Sequence, residues 1–345
     1  MISIRLGIIC PSEIAFKRFM PAARKIKNIE FVGIGVCSAK ERFGENIVIT
    51  EQMREVLNSE QDKARLFVQQ YSGKIFDSYR AIVLSDEIDA LYIPLPPALH
   101  YKWAKMALES GKHVLVEKPS TICADDTKGL VSIAARESLS LHENYMFVFH
   151  NQLNAINDII QSGEIGDVRL YRITFGFPRR SSIDFRYNKA LGGGALFDAG
   201  GYTLKYADKL LGNTASVTYA QLDYIKDFEV DIGGSATLSN DSGIMVQLAF
   251  GMDNSYKCEL EAWGSKGCLT SGRVLTAPPG YVPKVTIELG DKVIVRQLPI
   301  DDAFEKSILH FIKCIQDDKL RTENYHDMIR QAEMVDCVKG FDKHD

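Results

Sequence analysis

At 345 residues the chain has room for about two domains of ordinary size. Its 46% hydrophobic and 25% charged residues give the balance of a soluble globular protein, which sets aside fibrous and disordered classes. A net charge of −4 without a dense Lys/Arg stripe argues against nucleic acid as a partner. No apolar run approaches the roughly 18 residues of a membrane span.

The opening "MISIRLGIIC" carries Arg5 inside its apolar run and lacks a signal-peptide cleavage pattern. Seven cysteines without a C-x-x-C pair read as reduced thiols, so a cytoplasmic location is expected. Seven dispersed histidines show no ligand spacing, and no metal is expected.

Over the first 120 residues, short apolar runs ("IRLGIIC", "FVGIGVC", "ALYIPLP", "HVLVEKP") alternate with amphipathic helices such as "LHYKWAKMALES". Continuous apolar runs of that length predict buried parallel strands in βαβ units. Gly111 stands where a helix needs a left-handed cap. Residues 43–60 read as an extra helical insertion with no assigned role. Beyond residue 150 comes the helix "LNAINDIIQSGEIG", with Leu153, Ile156 and Ile160 on one side. Long alternating segments follow, from "DVRLYRITFGF" to "KVTIELGDKVIVRQL", with hairpin signals at "NDSG" and "GD", and helices return at the tail. The expectation is an α/β Rossmann-type parallel-sheet domain over 1–122 and an α+β domain over 123–345. The second domain carries a large, mostly antiparallel open-faced sheet, with 123–150 as crossover helix and strand.

At the first βα junction, "LGIICPSEIA", the G-x-G-x-x-G/A positions hold Cys10, Ser12 and Ala15. Small size survives without the glycines, and Pro11 removes one backbone donor; a plain strand–turn–helix fits equally well. The second strand ends in "GVCSAKERF", where NAD-binding folds place an acid for the ribose 2′-hydroxyl. Ser38, Lys40 and Arg42 instead suit a 2′-phosphate, so NADP is expected over NAD; a solvated loop is the plain alternative. In "HVLVEKP", Lys118 ends a parallel strand, the edge where ligands bind in such sheets; taken alone, a surface lysine at a strand end is the plainer reading.

Helical spacing places Asp198 and Tyr202 on one face within "GGGALFDAGGY". Gly200 and Gly201 there each cost about 1 kcal/mol relative to alanine. A weakened helix that presents a carboxylate and a phenol side by side asks for a reason: close approach to a neighbour would explain the glycines, and an amphipathic helix whose Tyr202 simply packs is the plain alternative.

Together, "DALYIPLPPALHYKWAKMALESGKHVLVEKP" and "DFRYNKALGGGALFDAGGY" resemble the Gfo/Idh/MocA oxidoreductase family, in its tyrosine-type branch with dihydrodiol dehydrogenases and sugar-nucleotide 3-ketoreductases. "HENYMFVFHNQ" resembles the family's crossover segment, with Val148 replacing an arginine, and Thr203 replaces the branch's proline after the tyrosine. The resemblance implies an NAD(P)-dependent oxidoreductase that interconverts a hydroxyl and a ketone on a sugar, sugar nucleotide or polyol. Catalysis would fall to Lys118, Tyr202 and Asp198. Cofactor contacts are expected at Cys10, Ser12, Ile14, Ser38, Lys40, Arg42, Pro94, Leu95, Pro96, His100, Glu117, Lys118 and Asn144. Arg186, Tyr187, Phe175 and Asp198 are expected at the substrate, and a homodimer or homotetramer is implied. A trans-dihydrodiol or aldose dehydrogenase, or a catalytically silent nucleotide-binding sensor, are the alternatives.

Overall fold

The structure is a computed structural model and describes residues 3–45 and 47–342. Asn46, inside the expected 43–60 insertion, lies outside the described residues. The chain forms two compact units: one of residues through Thr121, Asp125–Asn144 and Ser307–Met328, the other of Ile122–Ala124, Tyr145–Lys306 and residues from Ile329.

The first unit opens with β1 (Ile4–Ile9), a π-helical turn (Ala15–Phe19) running into α1 (Met20–Ala23), β2 (Ile29–Gly35) and α2 (Ala39–Phe43). It continues through α3 (Glu51–Tyr71), β3 (Lys74–Phe76), α4 (Tyr79–Val83), β4 (Ala90–Ile93), α5 (Pro97–Glu109), β5 (His113–Val116), α6 (Ala124–Arg136) and β6 (Leu141–Glu143). Its six strands run in the order β3-β2-β1-β4-β5-β6, every pair parallel. The apolar runs explain the topology: Leu91, Ile93, Val114 and Val116 are buried as a doubly covered parallel sheet requires. Gly111 closes the turn after α5 at φ +74°. The expected insertion is a longer element than the sequence reading gave it. Its helix α3 runs to Tyr71 and feeds β3, burying only Glu60, Ala64 and Phe67. So narrow a stripe is hard to recognise in a polar sequence. The parallel sheet also extends past residue 122, because β6 pairs with β5.

The second unit holds α7 (Asn151–Gln161), β7 (Val168–Gly176), a π-helical turn (Leu196–Gly200), α8 (Gly201–Leu211), β8 (Ser216–Asp223), β9 (Gly233–Ser239) and β10 (Met245–Gly251). The sheet continues with β11 (Lys257–Gly264), β12 (Cys268–Gly272), β13 (Lys284–Leu289) and β14 (Lys292–Gln297). The chain ends in α9 (Ala303–Gln316) and α10 (Asp318–Gly340), whose residues divide between the units. The eight strands are ordered β14-β13-β12-β11-β7-β10-β9-β8. Both hairpin signals form hairpins, β9–β10 and β13–β14, and only β7 with β10 is parallel.

Alternation decides which face of this sheet is covered. Tyr171, Ile173, Phe175, Val246, Leu248, Phe250 and Leu260 point inward onto α7, α8 and part of α10. Burying each large side chain there contributes roughly 1.5–3 kcal/mol. The opposite face carries Arg172, hydrogen-bonded to Gln247 and Glu261, beside exposed Met245, Trp263, Val293 and Val295.

Candidate active site

In the first unit, the residues singled out for cofactor line up along the carboxyl edge of the parallel sheet. Cys10 follows β1, Ser38 follows β2, Leu95 and Pro96 follow β4, Glu117 and Lys118 follow β5, and Asn144 follows β6. Open parallel sheets bind ligands at this edge, where strand order reverses, here between β1 and β4.

At the first turn, Cys10 takes φ +77°, the left-handed conformation that glycine normally supplies. Its amide donates to Gly35 O (3.1 Å), and Ser12 caps the following helix by accepting from the Ala15 amide (3.2 Å). The turn thus keeps the backbone form of a dinucleotide-binding junction without its glycines. Burial pushes the Cys10 thiol up to about 12, and Cys37 likewise, so both stay protonated at neutral pH. Ile14 is partly exposed on the helix that starts there.

After β2, Ser38 forms a capping box with Glu41: Ser38 Oγ accepts from the Glu41 amide (3.3 Å), and the Ser38 amide donates to the Glu41 carboxylate (2.8 Å). Lys40 and Arg42 both already hold acids. Lys40 pairs with Glu45 in solvent, and Arg42 Nη1 pairs with Glu60 Oε2 (3.3 Å). Glu60 is buried and also accepts from the Cys37 amide (2.7 Å) and the Tyr79 hydroxyl (2.8 Å). A hydroxyl flanked by cations fits a 2′-phosphate in donor chemistry, and the turn conformation at Cys10 fits a dinucleotide.

Around Lys118 the edge is stiffened by buried polar groups. Glu117 accepts from the Tyr92 hydroxyl and Asn144 Nδ2, each at 2.6 Å, and Asn144 Oδ1 accepts from Ser307 (2.8 Å). Burial raises the Glu117 carboxyl against the pull of Tyr92, Asn144 and Lys118. His100 is fully buried, its ring nitrogens 2.7 Å from Leu95 O and from Pro119 O, so it ties the turn after β4 to the turn after β5. Burial pushes its pKa down to about 4 against those two carbonyls. The Lys118–Pro119 peptide is cis, and Pro94 is buried beside Leu95.

In the second unit, the glycine-rich segment wraps around Arg186. The Gly194 amide donates to Arg186 O (2.9 Å), and a Cβ on Gly193 would collide with that carbonyl. Arg186 Nε donates to Asp198 Oδ2 (2.5 Å) and Nη1 to Asp184 (3.2 Å). Burial disfavours the Arg186 charge, but Asp198 and Asp184 outweigh it and raise its pKa. The carboxylate expected at the substrate is therefore presented together with a guanidinium.

Asp231 anchors the same helical segment, accepting from the Leu196 amide at 2.6 Å. Burial pushes its carboxyl up to about 7. Tyr202 is 8% exposed within an aromatic box of Tyr145 (5.3 Å), Phe147 (5.5 Å) and Phe175 (5.4 Å), and its hydroxyl lies 3.9 Å from Met146 Sδ. A Cβ on Gly201 would run into the Tyr145 hydroxyl, so the glycine's role is space. Phe175 and Tyr187, expected at the substrate, are both buried in the core of this unit. Tyr187 Oη accepts from the Arg180 amide at 2.8 Å.

Sequence reasoning missed Glu60, Asp231, Tyr145 and the Arg186–Asp198 pair. Tyr145 and the pair had a local signal, since all three residues stand inside resembling motifs; Glu60 and Asp231 had none.

Family models agree with this two-part layout. The oxidoreductase family with an NAD-binding Rossmann fold matches residues 27–145, and the GFO/IDH/MocA C-terminal domain matches 153–270. The chain is 35% identical to a dTDP-3,4-didehydro-2,6-dideoxy-alpha-D-glucose 3-reductase of Actinomadura kijaniata, over 97% of this chain and 95% of that protein. It is 26% identical to D-xylose 1-dehydrogenase (NADP(+)) 2 of Haloferax volcanii over 76% of this chain and 81% of that one. The crystal structure of a 3-ketoreductase from Actinomadura kijaniata in complex with NADP and TDP-benzene superposes with TM-score 0.88 at 34% identity, covering 99% of this chain and 98% of that one. Both parts and nearly the whole length agree: the chain belongs to the Gfo/Idh/MocA family and is an NAD(P)-dependent oxidoreductase acting on CH–OH groups.

Proposed function

We propose that this chain is an NADP-dependent ketoreductase of nucleotide-linked sugars, reducing a keto group on the sugar ring. The observation that carries the reading is the ion pair of Arg186, on the short turn Phe185–Tyr187, with Asp198, on the glycine-rich π-helical turn that leads into α8 and Tyr202. Relatives named for reduction at the 3-position of dTDP-linked didehydro-sugars support it over nearly the full length. Reduction adds a hydride to the carbonyl carbon and a proton to its oxygen. The dinucleotide supplies the hydride when bound. Tyr202 gives the proton, Lys118 stabilises charge on oxygen, and Asp198, held by Arg186, accepts from a sugar hydroxyl and fixes the ring. In the same proposal, residues 1–122 serve the dinucleotide, and 123–345 serve substrate and assembly. Ser38, Lys40 and Arg42 receive the 2′-phosphate, with Cys10, Ser12, Ile14, Pro94, Leu95, Pro96, Glu117 and Asn144 shaping the remaining pocket.

Assembly into a homodimer or homotetramer is proposed through the uncovered sheet face, whose apolar Met245, Trp263, Val293 and Val295 are exposed. A monomeric mass by light scattering at micromolar concentration contradicts it. Among the described residues no helix is long and apolar enough to cross a membrane, and seven cysteines free of disulfides fit the reducing cytoplasm proposed as its location.

Oxidation of NADPH by dTDP-linked and free keto-sugars, together with reduction of NADP+ by an aldose and a trans-dihydrodiol, tests the function. The reading requires turnover on the nucleotide-linked ketone and little on the others. Equal activity on the free sugar overturns the nucleotide assignment, and no activity on any substrate favours a silent sensor.

A further inference from the structure

The end of β2 lacks an acid in sequence, yet a carboxylate is there in space. Glu60 reaches in from α3, more than twenty residues later, and accepts from the Cys37 amide at 2.7 Å, one residue before Ser38. The Tyr79 hydroxyl, from the start of α4, holds the same oxygen at 2.8 Å. The Glu60 side chain is 10% exposed and Arg42, on its second oxygen, is 44% exposed, so the pair has a buried anion and a cation facing water. The other charges at this turn are Glu41, which holds Ser38 and the amides of Tyr79 and Arg80, and Lys40, engaged by Glu45.

We propose that Glu60 is the acidic group of this cofactor pocket and that Arg42 admits a 2′-phosphate by cancelling its charge. The inference rests on the NADP reading above and refines it. A buried anion beside the 2′-position opposes a phosphate and tolerates a hydroxyl. Paired with Arg42, it is neutralised while its other oxygen still fixes the Cys37–Ser38 backbone. Arg42 then acts through Glu60 rather than by direct contact with the phosphate, which leaves that contact to Ser38 and Lys40 and revises Arg42's role in the reading above. Glu60 is a specificity-determining residue that the local sequence after β2 does not contain.

Binding of NADPH and NADH is titrated by fluorescence on the full chain, for wild type, Arg42→Ala, Glu60→Gln and the double variant. Glu60→Gln keeps an oxygen for Cys37 and Tyr79, so it folds, and a melting curve confirms this. Arg42→Ala should weaken NADPH at least about tenfold, with NADH changed less than about twofold, because the carboxylate left unneutralised opposes only the phosphate. The double variant should recover NADPH affinity to within about threefold of wild type, and Glu60→Gln alone should tighten NADPH. The proposal is overturned if the double variant binds NADPH no better than Arg42→Ala, if Arg42→Ala changes nothing, or if Glu60→Gln weakens NADPH. The wild-type ratio of the two cofactors tests the NADP reading separately, and a preference for NADH sinks that reading while the four-variant cycle on NADPH still decides Glu60.

Discussion

At the turn after β1 the chain holds Cys10 where a dinucleotide fingerprint asks for glycine, yet the backbone adopts φ +77°. At the junction of the π-helical turn with α8 it holds two glycines, yet both take ordinary helical values, φ −61° at Gly200 and −56° at Gly201. The first position needs glycine's conformation and does without glycine. The second needs glycine's lack of a side chain, since Tyr145 occupies the space a Cβ on Gly201 would take and Leu196 and Phe250 crowd Gly200. A missing glycine therefore does not exclude a dinucleotide turn, and a costly helical glycine marks close packing around functional residues.

The anchor of the glycine-rich segment should give the largest effect. The Asp231 carboxyl, held up at about 7 by burial, is an acid whose folded pKa lies above its unfolded value near 3.9. Its stabilisation is complete below about pH 4 and is lost as pH rises through about 7. At about 1.4 kcal/mol per pKa unit, roughly 4 kcal/mol is at stake. Asp231→Asn should flatten the fall in melting temperature between pH 4 and 8, and an unchanged slope would remove Asp231 from the account.

Gly201→Ala comes next, at about 3 kcal/mol, because overpacking a filled site forces neighbours to shift. Adding Tyr145→Phe should return part of that loss in denaturant melts. If Gly201→Ala is neutral by itself, space is not what the glycine provides. Cys10→Gly is the smallest: relief of left-handed strain, about 1 kcal/mol, is offset by unfolded-chain entropy of similar size. Stability within about 1 kcal/mol of wild type is expected, with Cys10→Val clearly worse because β-branched residues resist that conformation. A large loss for Cys10→Gly would show that the thiol itself carries the turn.

The same contrast explains what was legible in the sequence. Period-two and continuous apolar patterns exposed both sheets and both hairpins, because burial acts on every second or every residue of a strand. The parallel pairing of β7 with β10 left no local trace, since the partners lie some seventy residues apart. Neither did β6 as the last strand of the parallel sheet, because three residues carry no period. Among the proposed site residues, Lys118, Asp198 and Tyr202 stood in motifs. Glu60 lay hidden in the polar run "EQMREVLNSEQDKARLFVQQY", where nothing distinguishes a buried glutamate from its solvated neighbours. Phe175 and Tyr187, expected at the substrate, are buried in the core of the second unit as Tyr202 is, and in sequence an aromatic serves core and ligand equally well.

The proton-donor role of Tyr202 is the central claim, and Tyr202→Phe tests it most directly under conditions where chemistry limits turnover on a nucleotide-linked ketone. Removing one hydroxyl from the aromatic box should leave NADPH affinity nearly intact, whereas Lys118→Ala should lower both turnover and affinity. General acid catalysis contributes about 10²–10⁴-fold, so turnover of Tyr202→Phe should fall within that range. Retention of more than about a third of wild-type turnover would contradict the account and leave Tyr202 a packing residue of the glycine-rich helix.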